Sequence, residues 1–178
     1  VQMMTGLFGD TDEKTLETAK RLISLSPDTV RIYPTVVLKN TKLEELYSSG
    51  EYRAQALEEA TELCSKLLKL FNENGVRVIR LGLHSGGNVE EGYVAGAYHP
   101  AFREKCESRL YRTEIKSLLE REEIAGGKVN LLVSKKYISQ AIGQKKENLL
   151  FFKEKGYEIK FITDENTKQY EVRLMPQL

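Results

Sequence analysis

The chain has 178 residues, 40% of them hydrophobic and 30% charged, with a formal net charge of +1. That size lies between one large domain and two small ones, and no apolar run approaches the roughly 20 residues that would span a bilayer, which argues against a membrane protein. The charge is uneven: from Lys128 onward there are ten Lys/Arg against six Asp/Glu, so any polyanion contact is expected in the tail.

The chain opens Val-Gln-Met-Met-Thr-Gly, with neither an initiator Met nor the basic flank and apolar run of a signal peptide. Val1 is therefore expected to be a cut end, and the setting cytoplasmic. Residues 2–8 predict a buried strand running into Gly9-Asp10-Thr11, where Asp10 or Thr11 caps a helix through Leu16, Ala19, Leu22 and Ile23. Pro27 stops that helix. Thr29 to Leu38 is β-branched and apolar and predicts the next strand, with Pro34 at its exit or at a bulge. Strand–helix–strand alternation points to a parallel sheet with crossover helices.

A short segment through Leu43, Leu46 and Tyr47 ends at Gly50, and a long helix follows from about residue 54 to 74. Its apolar stripe is Leu57, Ala60, Cys64, Leu67 and Phe71. Val76 to Leu83 alternates like a third strand, and Ser85-Gly86-Gly87-Asn88 predicts a mobile loop. Pro100 suits the start of a helix to about Glu123, with Phe102, Cys106, Leu110, Leu118 and Leu119 inward. Cys64 and Cys106 both lie on apolar stripes, with no Cys-x-x-Cys pair, so they are expected to be core residues in a reducing compartment. Gly126-Gly127 is the expected boundary, dividing a domain over 1–125 from one over 128–178. The second runs strand, helix, Gly143, helix, Gly156 and two strands, the last two expected as a hairpin across Asp164-Glu-Asn-Thr.

Met3-Met4-Thr5-Gly6-Leu7-Phe8-Gly9-Asp10-Thr11 resembles the Gly-Leu-Pro-Gly strand end of radical S-adenosylmethionine (SAM) enzymes, with Phe8 in place of the usual Pro. Ile32-Tyr33-Pro34-Thr35 with Leu43-Glu-Glu-Leu-Tyr47 and Gly50-Glu-Tyr52 resembles the Elongator catalytic subunit. Arg80-Leu-Gly-Leu-His84 and Ala95-Gly-Ala-Tyr-His-Pro-Ala-Phe102 are similar to the C-terminal extension of oxygen-independent coproporphyrinogen-oxidase-like members. Ile138 to Leu149, with Gly143-Gln144-Lys145-Lys146, resembles a KH-type RNA-binding domain whose second glycine is here Lys146. The resemblance implies an α/β fold: half of a radical SAM barrel with parallel strands, then a small α+β KH-like domain. It implies SAM and a four-iron four-sulfur cluster as cofactors of the parent protein. The Cys-x-x-x-Cys-x-x-Cys ligands of that cluster are absent from this chain, which is therefore expected to be inactive alone.

The same resemblance implies cofactor contacts at Gly6, Gly9, Arg31 and Tyr33. A plain strand-to-helix turn and a structural Arg–Tyr pair are the bland alternatives. It implies RNA contacts at Gly143, Gln144, Lys145 and Lys146, against a merely solvated basic face. His84 and His99 fit capping or turn packing as well as a site. Three functions stay open: a tRNA-modifying radical enzyme, a small-molecule radical enzyme, and a non-catalytic RNA-binding or assembly module. Expected partners are RNA and either the missing N-terminal half of the barrel or a second copy, since a half barrel leaves parallel strand edges open.

Overall fold

The structure, a computed structural model, describes residues 1–84 and 88–176; the expected loop at Ser85-Gly86-Gly87 lies outside them. The chain forms two compact units, Val1–Cys106 and Glu107–Leu178. The division falls inside a helix, some twenty residues before the Gly126-Gly127 pair, and burial explains why. On α5 (Phe102–Arg121), Phe102 and Cys106 are buried in the first unit. Ile115, Leu118 and Leu119 belong to a second core with Val129, Leu131 and Phe152.

In the first unit β1 (Gln2–Thr5), β2 (Thr29–Pro34) and β4 (Arg77–Leu81) make a parallel sheet in the order β1-β2-β4. α1 (Asp12–Ser24) and α3 (Leu57–Glu73) are the crossovers. Both helices start as their sequences dictate. The Thr11 hydroxyl accepts from Lys14 N at 3.3 Å, with Asp12 and Glu13 against the positive end of the dipole. Glu59 reaches back to the Ala56 N–H at 2.9 Å. Ala19, Ala60, Cys64, Leu67 and Phe71 are fully buried, as are Val30 and Ile32 of the sheet. The helices cover only that face. The opposite face, with Gln2, Met4, Arg31 and Ile79, is exposed.

The single strand expected over Thr29–Leu38 is two strands in two sheets. Pro34 has no N–H to continue the ladder, and the next residue, Thr35, gives both its donors to one carbonyl: N to Thr5 O at 2.9 Å and Oγ1 to Thr5 O at 2.7 Å. That clip turns the chain, and β3 (Val36–Leu38) pairs antiparallel with β5 (Tyr93–Gly96). Between them lie α2 (Lys42–Ser48), capped by Thr41, and the short α4 (Asn88–Gly92).

In the second unit β6 (Gly127–Val133), α6 (Ile138–Ile142), α7 (Glu147–Glu154), β7 (Tyr157–Thr163) and β8 (Arg173–Leu174) follow α5. The expected terminal hairpin does not form. β7 and β8 flank β6 on opposite sides, β7 parallel and β8 antiparallel to it. The turn residues act as expected, with Thr167 Oγ1 donating to Asp164 Oδ2 at 2.6 Å. What carries the chain across is Tyr170: its N–H donates to Tyr111 Oη at 3.0 Å and its hydroxyl to Glu107 at 3.1 Å, so it is buried against α5. Burial pushes the Tyr111 phenol up to about 12, which keeps it a neutral hydroxyl.

Candidate functional sites

The strands β1, β2 and β4 are parallel, so their C-terminal ends share one edge, where ligand crevices of parallel α/β sheets form. The chain leaves β1 there through two left-handed glycines, Gly6 (φ +69°) and Gly9 (φ +74°). Their requirements differ. A Cβ on Gly9 would meet open space, so its need is conformational: Asp10 N donates to Leu7 O at 2.9 Å and closes a turn with positive φ at its third residue. A Cβ on Gly6 would stand 2.7 Å from Gln55 Oε1, so that position needs room as well.

The turn borders a cavity of about 300 Å³ whose walls include Gly6, Phe8, Asp10, Glu51, Tyr52 and Gln55. Tyr52 is buried and donates its hydroxyl to Gly6 O at 2.7 Å; burial raises its phenol above the usual range. Asp10 is held by the Thr11 N–H at 2.9 Å and the Thr15 hydroxyl at 2.6 Å. Gln55 Nε2 faces Asp12 Oδ1 at 3.5 Å, while Gln55 Oε1 and the neighbouring Thr5 Oγ1 are buried without a hydrogen-bond partner. Unsatisfied buried acceptors are costly and mark a place where a ligand donor fits. Tyr52→Phe is expected to cost about 1 kcal/mol, the usual worth of one such hydrogen bond, in urea unfolding followed by circular dichroism.

Gly6 and Gly9 thus come together at the cavity. Arg31 and Tyr33 do not line it; they lie on the uncovered face of β2. Tyr52 and Gln55 were missed because 46 residues separate Tyr52 from the carbonyl it holds; the only sequence signal was the Gly50-Glu51-Tyr52 likeness. His84 is exposed, and His99 Nδ1 accepts from Ala101 N at 3.0 Å, a turn role. Cys64 and Cys106 form no disulfide and are fully buried.

In the second unit Gly143-Gln144-Lys145-Lys146 joins α6 to α7 as a tight turn. Gly143 sits at φ 79°, ψ 164°, a region open essentially to glycine alone. Lys145 and Lys146 follow in the left-handed region at φ 50° and 63°. Asn148 fixes the turn from beneath: its Nδ2 donates to Ser108 O and Ala141 O, both at 2.9 Å, and its Oδ1 accepts from Arg112 Nε at 2.8 Å. Gln144, Lys145 and Lys146 are exposed.

A two-unit α/β chain, with a parallel sheet and a glycine turn at its ligand edge, is the class these features define. Residues 27–112 match the Radical_SAM C-terminal domain, so the chain carries that domain of the radical SAM proteins. It is 51% identical over 51 residues to an uncharacterized protein of Methanocaldococcus jannaschii, covering 29% of this chain and 16% of that protein. It is 41% identical over 44 residues to Elongator complex protein 3 of Mus musculus, covering 25% of this chain and 8% of that one. The chain thus matches only a small share of either relative's length. Radical SAM proteins work with SAM and an iron–sulfur cluster; among the described residues no group of three or more His, Cys, Asp or Glu side chains is placed to hold a metal. No helix among the described residues is long and apolar enough to cross a membrane.

Proposed function

We propose that this chain is the C-terminal half of a radical SAM barrel followed by a KH-like domain, in an enzyme that modifies RNA, tRNA in particular. The observation that carries the RNA assignment is Lys146 in the left-handed conformation at φ 63°. Lys146 stands where the helix–turn–helix loop of KH domains carries its second glycine, and it takes the left-handed backbone that glycine adopts most readily, which supports the reading. Gly143 supplies the close approach, and Lys145 and Lys146 supply charge for phosphate. The likeness to Elongator complex protein 3 supports the same reading.

The residues present fit SAM on one count. The buried acceptor of Gln55, unpartnered in the cavity wall beside the glycine turn, suits a ligand that donates hydrogen bonds, as SAM does through its ammonium and ribose hydroxyls. Bound SAM supplies a hydrogen-abstracting 5′-deoxyadenosyl radical in this family. The part of this chain's residues is positioning: Tyr52 holds the Gly6 carbonyl in place, and Asp10 and Thr11 hold the turn to the start of α1. The residues do not fit the cluster, since two buried cysteines on separate helices cannot supply three ligands.

The test is the full-length gene product, purified without oxygen and assayed for iron, sulfide and 5′-deoxyadenosine release with and without tRNA. Cluster binding with tRNA-stimulated release is expected, and Lys145→Gln/Lys146→Gln should weaken tRNA binding about tenfold through lost phosphate contacts. Turnover of a tetrapyrrole with no response to tRNA would favour the coproporphyrinogen-oxidase-like alternative. No cluster and no release would leave a binding module.

A further inference from the structure

The uncovered face of the parallel sheet carries a charge pattern that the glycine turn does not explain. Val30 of β2 pairs with Val78 of β4, but the register then slips and Arg31 pairs with Arg80. Without that bulge, Ile79 would stand beside Arg31 and Arg80 would turn to the helix-covered face. The extra residue re-aims Arg80 outward and returns Leu81, 5% exposed, to the core. Bulges that redirect one side chain in this way cluster next to active sites.

The result is a row of Gln2, Arg31 and Arg80 across three neighbouring strands, with Thr29 and Arg77 paired in the row below. Tyr33 follows Arg31 on the same face, beside Met4. No acidic residue occupies these positions. Arg31, Arg77 and Arg80 make no ion pair with any described residue. Like charges placed directly across two strands repel, and an oxyanion bridging them would offset that cost. A guanidinium fork matches two oxygens of such a group, and two forks side by side suit a tetrahedral, multiply charged one better than a planar carboxylate.

We propose that Arg31 and Arg80, supported by Arg77, bind a phosphate group of the substrate on the uncovered face of the parallel sheet. That the phosphate belongs to the substrate rests on taking this face as a barrel's inner wall; phosphate binding itself does not.

The experiment is calorimetric titration of the 178-residue chain with sodium pyrophosphate at low salt, with citrate in parallel. Saturable pyrophosphate binding is expected, weakened at least about tenfold in Arg31→Gln and in Arg80→Gln and only partly in Arg80→Lys, which keeps charge but loses the fork. Arg21→Gln on α1 should bind as the unaltered chain does. Thermal melts should show both glutamine variants folded, since neither arginine contributes to the core. Absence of binding, equal binding by Arg31→Gln and Arg80→Gln, or citrate binding as tight as pyrophosphate would each overturn the proposal. The readout involves neither tRNA nor radical release, so its failure is distinct from failure of the proposed function.

Discussion

Gly143→Ala is expected to destabilise the second unit by about 3–5 kcal/mol, the sum of forcing a Cβ into a glycine-only region and of overpacking the space around it. An added Cβ would lie 2.5 Å from Ser108 Oγ and 2.6 Å from Glu147 Cγ. Ser108 has little freedom to retreat, because its hydroxyl donates to Glu147 Oε1 at 2.7 Å and also meets Asn148 Nδ2 at 3.1 Å. Gly127→Ala separates the two contributions. Gly127 also has a positive φ, +89°, but nothing lies within 4 Å of its absent Cβ, so about 1 kcal/mol is expected there. Urea unfolding of both variants measures the difference. Equal losses at the two positions would show that backbone strain alone, not the Ser108–Glu147 neighbourhood, sets the requirement at Gly143.

Asn148→Leu, close in volume, is expected to cost roughly 3–5 kcal/mol by leaving several buried polar groups without partners. Asn148 is fully buried. Its loss strands the carbonyl of Ala141, removes the second donor to that of Ser108 and takes the partner of Arg112 Nε, which belongs to a side chain only 17% exposed. Because these partners lie on α5 and α6 while Asn148 lies on α7, the substitution should also loosen the Gly143–Lys146 turn. Faster amide exchange at residues 143–146, alongside the loss in urea stability, is the measurement that checks it. A stable variant with unchanged exchange would mean that apolar packing alone holds the three helices.

The elements whose burial follows a helical period were legible from sequence: the stripe on α5 is buried throughout, that on α3 is buried from Ala60 to Phe71 with Leu57 half-buried at the helix start, and Thr11 caps α1. What escaped depended on contacts distant in sequence. Nothing local to Val36–Leu38 reveals that Thr35 is clipped to the Thr5 carbonyl, thirty residues away. Good turn residues at Asp164–Thr167 implied a hairpin, yet the anchor that overrides it, Tyr111, is 59 residues from Tyr170. At the candidate site, the likeness to the Gly-Leu-Pro-Gly strand end pointed to Gly6 and Gly9, but Gln55, which stands against Gly6, left no periodic trace. Arg80 is the sharpest case. Strict alternation along Val76–Leu83 sets it with Val78 on the buried face, and only the bulge, a property of two strands together, moves it.

The division of the chain inside α5 bears on how its two parts can be exchanged between proteins. A recombination joint at Gly126-Gly127, the place a linker would suggest, would deliver β6 to β8 without Ile115, Leu118 and Leu119, half of the buried cluster on which those strands rest. A transplant beginning near Glu107 would carry its own core, together with the Glu107 and Tyr111 partners of Tyr170. The part that shares one core is therefore helix plus sheet, and the glycine pair is a bend within it.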